Sequence, residues 1–213
     1  MSWYGELIAD DGFKDAAGIS LLVAGSVAIL STLTGTLAAF ALGRISPKWA
    51  RPTLAVISVP VLLPPLVIAI AIVVLFVRGL GWGLGLPVTI LGHVLVTQPF
   101  VILVVAARLA SFNSASVEAA RDLGATRWQA FRLVTLPQIR TAIIGAALIS
   151  AALSLDDFII ASFTIGGGNT LSTFVWGKMR TTLDPSINAI ATILLLSTIG
   201  MSLLAMRLSR YRG

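Results

Sequence analysis

The feature that most constrains this chain is a series of five long apolar stretches. At 1.5 Å per residue in a helix, each is long enough to cross about 30 Å of hydrocarbon. Stretches without a polar side disfavour a soluble α-helical core, and the lack of apolar–polar alternation disfavours a membrane β-barrel. We therefore predict an all-α, polytopic transmembrane helix bundle with five spans in this chain. The stretches are 19–42, 53–77, 88–107, 141–165 and 189–206.

The composition excludes several classes of protein. Of the 213 residues, 57% are hydrophobic and 11% are charged, whereas a soluble domain carries roughly 25% charged residues. The sequence has no cysteine, no G-x-x-x-x-G-K-[ST] phosphate loop and no Ser–His–Asp set or metal cluster. We expect a transport protein rather than an enzyme, with no cofactor or metal of its own. The single histidine, His93, is interpreted as a packing residue.

The positive charges predict an orientation in the membrane. Eleven of the 15 lysines and arginines lie between the first and second stretches, between the third and fourth, or in the tail 207–213. These segments share one side, which the positive-inside rule makes cytoplasmic. The net charge of +6 is thus read as a topological signal and not as a nucleic-acid surface. Residues 1–18 become an external N-terminal segment before the membrane domain 19–206, and their polarity predicts that a further span precedes them in the natural protein.

Two groups of residues inside the apolar stretches are candidates for a substrate pathway. Pro64 and Pro65, with Pro60, interrupt the second stretch, which predicts either a broken helix beside a pathway or a kinked helix in a bundle. Asp156 and Asp157 interrupt the fourth stretch. Carboxylates are costly inside a membrane and should face the protein interior. There they would attract a cationic substrate, share a proton, or pair with a neighbouring helix.

The inner segment 108–140 is predicted to contain two short helices. Ser116 is a candidate cap of the first, and Gly124 is suited to end it in a left-handed conformation. Thr126 and Gln129 have the spacing of a capping box for the second helix. The result would be a rigid element that docks a partner protein, or an amphipathic pair lying on lipid headgroups.

This segment resembles the EAA loop of the membrane subunits of binding-protein-dependent ABC importers. The match consists of Glu118-Ala119-Ala120, Gly124, Val134 and Leu136-Pro137 at the family's spacing, with valine for the usual isoleucine. The resemblance implies that the loop couples the chain to a dimer of separate ATP-binding cassette ATPases, which would bind the ATP. It also implies a second permease subunit, identical or homologous, and a periplasmic substrate-binding protein.

Further segments resemble spermidine/putrescine permeases, which are multi-pass proteins of the bacterial inner membrane with six spans. The resemblance implies polyamine import, with the C-terminus in the cytoplasm. Two rival functions remain: a proton-coupled secondary carrier that uses Asp156 or Asp157, and a membrane scaffold that does not transport. The resembling segments are 3–4, 20–21, 154–158, 166–170 and 184–189.

Overall fold

The computed structural model describes residues 9–181 and 186–210, and within these ranges every regular element is helical. The predicted all-α class is therefore confirmed. Trp3, Tyr4, Asp184 and Pro185, which contribute to the resemblance above, lie outside the described residues. The helices are α1 (Asp11–Leu42), α2 (Pro47–Leu62), α3 (Pro65–Val73, continued by a π-helical turn Val74–Gly79), α4 (Leu86–Ala110), α5 (Ala115–Asp122), α6 (Arg127–Ala130, continued by a π-helical turn Phe131–Thr135), α7 (Leu136–Asp156), α8 (Ile159–Thr164), α9 (Leu171–Thr181) and α10 (Ser186–Arg210).

The prediction of five spans is not confirmed by the described residues. By length and composition, three continuous helical segments can cross a membrane: Asp11–Leu42, Leu86–Ala110 and Arg127–Asp156. A fourth crossing is possible if the bent pair of α2 and α3 counts as one span. The fifth stretch lies within α10 (Ser186–Arg210), which contains the apolar segment Ile190–Leu204.

The second apolar stretch is broken, which distinguishes between the two alternatives, a broken helix and a kinked helix, that its prolines left open. Helices α2 and α3 meet at an angle of 97°. Leu63 and Pro64 are extended, with ψ values of 145° and 132°, because a residue that precedes a proline is pushed out of the helical region. Pro65 then begins α3 at its first position, where a missing backbone donor costs least.

The fourth stretch is not one continuous span, contrary to the prediction for 141–165. Helix α7 ends at Asp156, Asp157 is extended with a ψ of 115°, and α8 begins at Ile159. The physical reason lies in the side chain of Asp157, whose Oδ1 accepts hydrogen bonds from the backbone N–H groups of Ile160 and Ala161. The carboxylate thereby caps a new helix, so both aspartates lie at a break and not in the middle of a helix.

Helices α1, α4 and α7 form the centre of the bundle. Their shared core contains Ala39, Val101, Val105 and Ala146. The helices approach closely at Gly35, where an added Cβ would lie 2.7 Å from Val101 Cγ1. Small residues permit this contact between membrane helices, whose association depends on close packing rather than on exclusion of water.

A second core joins the broken helices to α4. It contains Ile68, Ile72, Val88 and Ile160, all buried. Helices α4 and α8 touch at Gly92, where a Cβ would lie 2.8 Å from Ile160 Cγ2. This core therefore fixes α3 and α8, the two helices that follow the chain breaks, against the same continuous span.

Candidate functional site

The predicted inner element is present as two short helices separated by a tight turn. Helix α5 ends with a Leu123 N–H to Ala119 C=O bond and an Ala125 N–H to Ala120 C=O bond. Between them, Gly124 has a φ of +90°, so the predicted left-handed glycine is confirmed. Thr126 and Gln129 form the predicted capping box, with reciprocal bonds of 2.8 and 3.2 Å.

Helix α5 begins earlier than the sequence predicted. Its N-cap residue is Ser114, and Asn113 Oδ1 accepts the Ala115 N–H at 3.0 Å. The expectation that Ser116 caps the helix was wrong. The side chain of Asn113 accepts the backbone N–H of Ala115, so the helix begins before Ser116. Ser116 lies within the helix.

The EAA-like residues are divided between two places. Glu118 and Ala119 are exposed on α5, and Ala120 beside them is half-buried. Leu136 and Pro137 are also exposed, but they form the first turn of α7. The element thus presents an accessible, small-residue surface followed directly by the start of a span.

An aromatic contact ties this element to the bundle. The ring of Phe131 stacks on Trp128 with centroids 5.5 Å apart, and it meets Phe40 of α1 edge-on at 5.6 Å. Arg108 Nε and Nη2 both donate to the Gln138 carbonyl at 3.2 Å, which joins the end of α4 to the start of α7. The turn that follows α6 is thus in contact with α1, and the inner ends of α4 and α7 are joined to each other.

The two chain breaks meet at one cavity of about 510 Å³. The structure brings together Pro65, Asp156 and Asp157 in its wall, while Pro64, the fourth predicted residue of the pathway, is not among the lining residues and sits at the break itself. No lysine or arginine lines the cavity among the described residues. Its full lining is Pro60, Val61, Leu63, Pro65, Ile68, His93, Val96, Thr97, Phe100, Leu153, Ser154, Asp156, Asp157, Phe158, Ile159 and Ile160.

The two adjacent aspartates have different surroundings. Asp157 is partly buried, and its Oδ1 is engaged by the two backbone N–H groups at the start of α8. Asp156 is exposed to the cavity, and its carboxylate has no hydrogen-bond or ion-pair partner within 9–181 and 186–210. Asp156 is consequently the carboxylate that is free to meet a ligand.

His93 also belongs to this cavity, which sequence reasoning missed. Its Nδ1 lies 2.8 Å from Ser154 Oγ, and its Nε2 lies 3.6 Å from Asp157 Oδ1. These partners are 61 and 64 positions away in sequence, so no local spacing could have indicated them. The only available signal was that His93 and the two aspartates are the rare titratable side chains of the apolar stretches.

Another polar contact joins α9 to the start of α1, away from the cavity. Lys178 Nζ donates to Asp10 Oδ2 at 2.6 Å and lies 5.2 Å from the centre of the Phe174 ring. The hydrogen bond from Lys178 lowers the pKa of the Asp10 carboxyl below its ordinary value, with help from the backbone N–H groups of Phe13 and Gly12. Asp10 also caps α1 through those two N–H groups.

Comparison with known proteins identifies the family to which this chain belongs. Residues 31–212 match the family described as binding-protein-dependent transport system inner membrane component. The chain is 37% identical over 200 residues to the putrescine transport system permease protein PotI of Escherichia coli K12, covering 91% of this chain and 71% of PotI. It is 30% identical over 210 residues to the spermidine/putrescine transport system permease protein PotC of Haemophilus influenzae, covering 98% and 81% of the two chains.

A solved structure shares the fold. A chain of a bacterial alginate ABC transporter, crystallised with an alginate-bound periplasmic protein, superposes with a TM-score of 0.75 at 19% identity. The overlap covers 97% of this chain and 81% of the other. From the match over 182 residues and the two relatives, the chain belongs to the binding-protein-dependent inner membrane components, the permease subunits of ABC importers, and is most like the spermidine/putrescine permeases.

Proposed function

We propose that this permease subunit carries a polyamine, or a related small cation, inward across the bacterial inner membrane. The observation that carries the proposal is the unpartnered carboxylate of Asp156 in a cavity without lysine or arginine among its described lining. A carboxylate without an ion-pair partner leaves a negative potential, which attracts a cation and repels an anion. The resemblance to PotI and PotC supports a diamine or triamine as that cation.

The two aspartates have separate roles in this proposal. Asp156 contacts the cation, and Asp157 holds the start of α8 through its hydrogen bonds to Ile160 and Ala161. The extended backbone at Asp157 is the joint between α7 and α8. Rotation at this joint and at the break between α2 and α3 would open the cavity to one side of the membrane and then to the other.

Energy for the cycle would come from a dimer of ATPase subunits, which are separate chains and bind the ATP. The exposed Glu118 and Ala119 of α5, with the half-buried Ala120 beside them, support docking to such a partner, because small side chains allow close approach. The Phe131 contact with Phe40 links this surface to α1. A second permease subunit would complete the pathway, and a periplasmic binding protein would deliver the substrate. The C-terminus would then lie in the cytoplasm.

Uptake into reconstituted vesicles tests the substrate. The importer is assembled with its ATPase and loaded binding protein, and ATP-dependent accumulation of radiolabelled putrescine is measured. We expect Asp156→Asn to reduce uptake at least tenfold while the complex still assembles. Asp11→Asn is the matched control, because Asp11 is an exposed acid that pairs only with Lys14 in the described residues.

Two results would contradict the proposal. Wild-type protein that accumulates sulfate but not putrescine would overturn the choice of a cation. Uptake that persists without ATP and collapses with the proton gradient would instead favour the secondary carrier, for which the proximity of His93 and Asp157 offers a proton-binding pair.

A further inference from the structure

A groove lies between the end of α1 and the element formed by α5 and α6. Its volume is about 750 Å³, within the range of roughly 300–1,000 Å³ that is usual for ligand sites. Part of its wall is apolar and consists of Leu37 and Phe40 from α1 and Trp128 from α6. Leu37 is 70% exposed and Trp128 is 65% exposed. The described part of the chain therefore leaves this apolar wall uncovered.

Three arginines line the same groove, and each comes from a different part of the chain. Arg44 follows α1, Arg121 lies in α5, and Arg127 begins α6. No aspartate or glutamate is among the described lining residues. The three side chains also have no ion-pair or hydrogen-bond partner within 9–181 and 186–210. Unpaired guanidinium groups around one groove favour an anion, and their geometry suits a phosphate group.

The apolar wall belongs to the part of α1 that crosses the membrane. Helix α1 is long and apolar enough to span, and no charged residue occurs between Asp15 and Arg44. Leu37 lies five residues before the end of α1 at Leu42, which places it about 7.5 Å along the helix from that end. The groove thus begins beside acyl chains and ends at the charged border of the membrane, where tryptophan is also favoured.

Two kinds of partner could supply the negative charge: an acidic surface of a soluble protein, or a phospholipid. A soluble protein can reach the arginines but not an exposed leucine at the depth of the acyl chains. A phospholipid matches both parts of the groove. Basic pockets between membrane helices are recognised sites for anionic headgroups.

We propose that this groove binds an anionic phospholipid, with its phosphate against Arg44, Arg121 and Arg127 and an acyl chain along Leu37 and Phe40. The lipid connects α1 to α5 and α6 from the membrane side. This site is separate from the cavity at Asp156 and does not depend on which substrate is carried.

The lipid and an ATPase can bind at the same time. On α5, Val117 and Arg121 line the groove, and their spacing of four residues places them on one face of the helix. Glu118 and Ala119, the exposed residues proposed to meet the ATPase, do not line it. The two partners therefore use different faces of the same short helix.

Photo-crosslinking of the assembled importer in lipid nanodiscs tests the site. The nanodiscs consist of phosphatidylcholine with a small fraction of phosphatidylglycerol that carries a photoreactive acyl chain, and mass spectrometry identifies the labelled peptides. We expect labels on the end of α1 around Leu37 and on the peptide that contains Trp128. Phosphatidylcholine with the same photoreactive chain should label these peptides at least fivefold less, because its choline cancels the charge of its phosphate.

The combined variant Arg44→Gln, Arg121→Gln and Arg127→Gln should reduce labelling by phosphatidylglycerol at least fivefold. The matched control removes three exposed positive charges that lie outside the groove but on the same side of the membrane domain, and it should keep the wild-type labelling. Its changes are Lys48→Gln, Arg51→Gln and Arg140→Gln.

A competition on wild-type protein does not depend on the folding of any variant. Excess unlabelled phosphatidylglycerol should reduce the labelling at least fivefold, whereas inorganic phosphate in the same excess should reduce it less than twofold. Equal competition by phosphate would show a site for a free anion and overturn the lipid assignment. Equal labelling by the two photoreactive lipids, or groove peptides that cross-link to another protein chain and not to lipid, would also overturn it.

Discussion

Replacement of Gly124 by valine should disconnect ATP hydrolysis from transport without unfolding the membrane domain. Gly124 has a φ of +90°, a region that L-residues rarely adopt, and a Cβ there would meet no atom within 4 Å. The penalty is therefore local backbone strain and not a steric clash with the bundle. A non-glycine residue held in such a conformation costs about 1–3 kcal/mol.

That penalty falls on the turn between α5 and α6. If the strained turn relaxes, the native arrangement of α5 is populated about 5- to 150-fold less, since 1.4 kcal/mol corresponds to a factor of ten. We expect the affinity of the permease for its ATPase, or the uptake per ATP hydrolysed, to fall by a factor in this range. The assay is putrescine uptake and ATP hydrolysis measured in the same reconstituted vesicles.

Two variants serve as controls for the Gly124 experiment. Gly81 also has a positive φ, +69°, with no atom within 4 Å of a Cβ, so Gly81→Val introduces similar strain at a distance from α5. It should leave coupling intact. Gly124→Asn should be milder than Gly124→Val, because asparagine tolerates the left-handed region. Normal uptake and ATPase affinity in Gly124→Val would show that the turn at Gly124 does not control docking of α5.

Two further predictions concern stability. Gly92→Ala would place a Cβ 2.8 Å from Ile160 Cγ2 and should destabilise the protein by about 1–3 kcal/mol through overpacking. Gly25→Ala, whose Cβ would lie in open space, should cost less than about 0.5 kcal/mol. Thermal unfolding in detergent measures both variants, and equal stability of the two would contradict the close packing at Gly92. The lowered pKa of Asp10 means that its contact with Lys178 contributes fully above the unfolded pKa of about 3.9 and is lost as the pH falls through the lower folded value. The melting difference between wild type and Asp10→Asn should therefore be constant from pH 7 to pH 5 and vanish in stronger acid, and a difference that vanishes near pH 6 would contradict the assignment.

Local sequence signals predicted the inner element well. Gly124 and the Thr126–Gln129 capping box act within a few residues, so their geometry follows from their own side chains. The prolines of the second stretch likewise predicted a disturbed helix, because proline removes a backbone hydrogen-bond donor, but they did not decide between a kink and a break. The α5 cap was predicted two residues too late, at Ser116 instead of Ser114, because the bond from the Ala115 N–H to the Asn113 side chain was not foreseen.

The cavity could be predicted only in part. The two aspartates interrupt the fourth apolar stretch, but this interruption alone did not indicate that α7 ends there and that Asp157 caps the next helix. Which aspartate remains free depends on that cap. The contact of His93 with Ser154 joins residues 61 positions apart and arises from the packing of α4 against α7. Only the folded arrangement of the helices could reveal it.

Docking of the inner loop to a separate ATPase can be measured by native mass spectrometry of the complex extracted from its own membrane. We expect two permease chains with two copies of an ATP-hydrolysing chain, and loss of that chain when Gly124 is replaced by valine. A folded, transport-competent protein recovered without any ATPase would show that the chain does not work as an ABC importer permease.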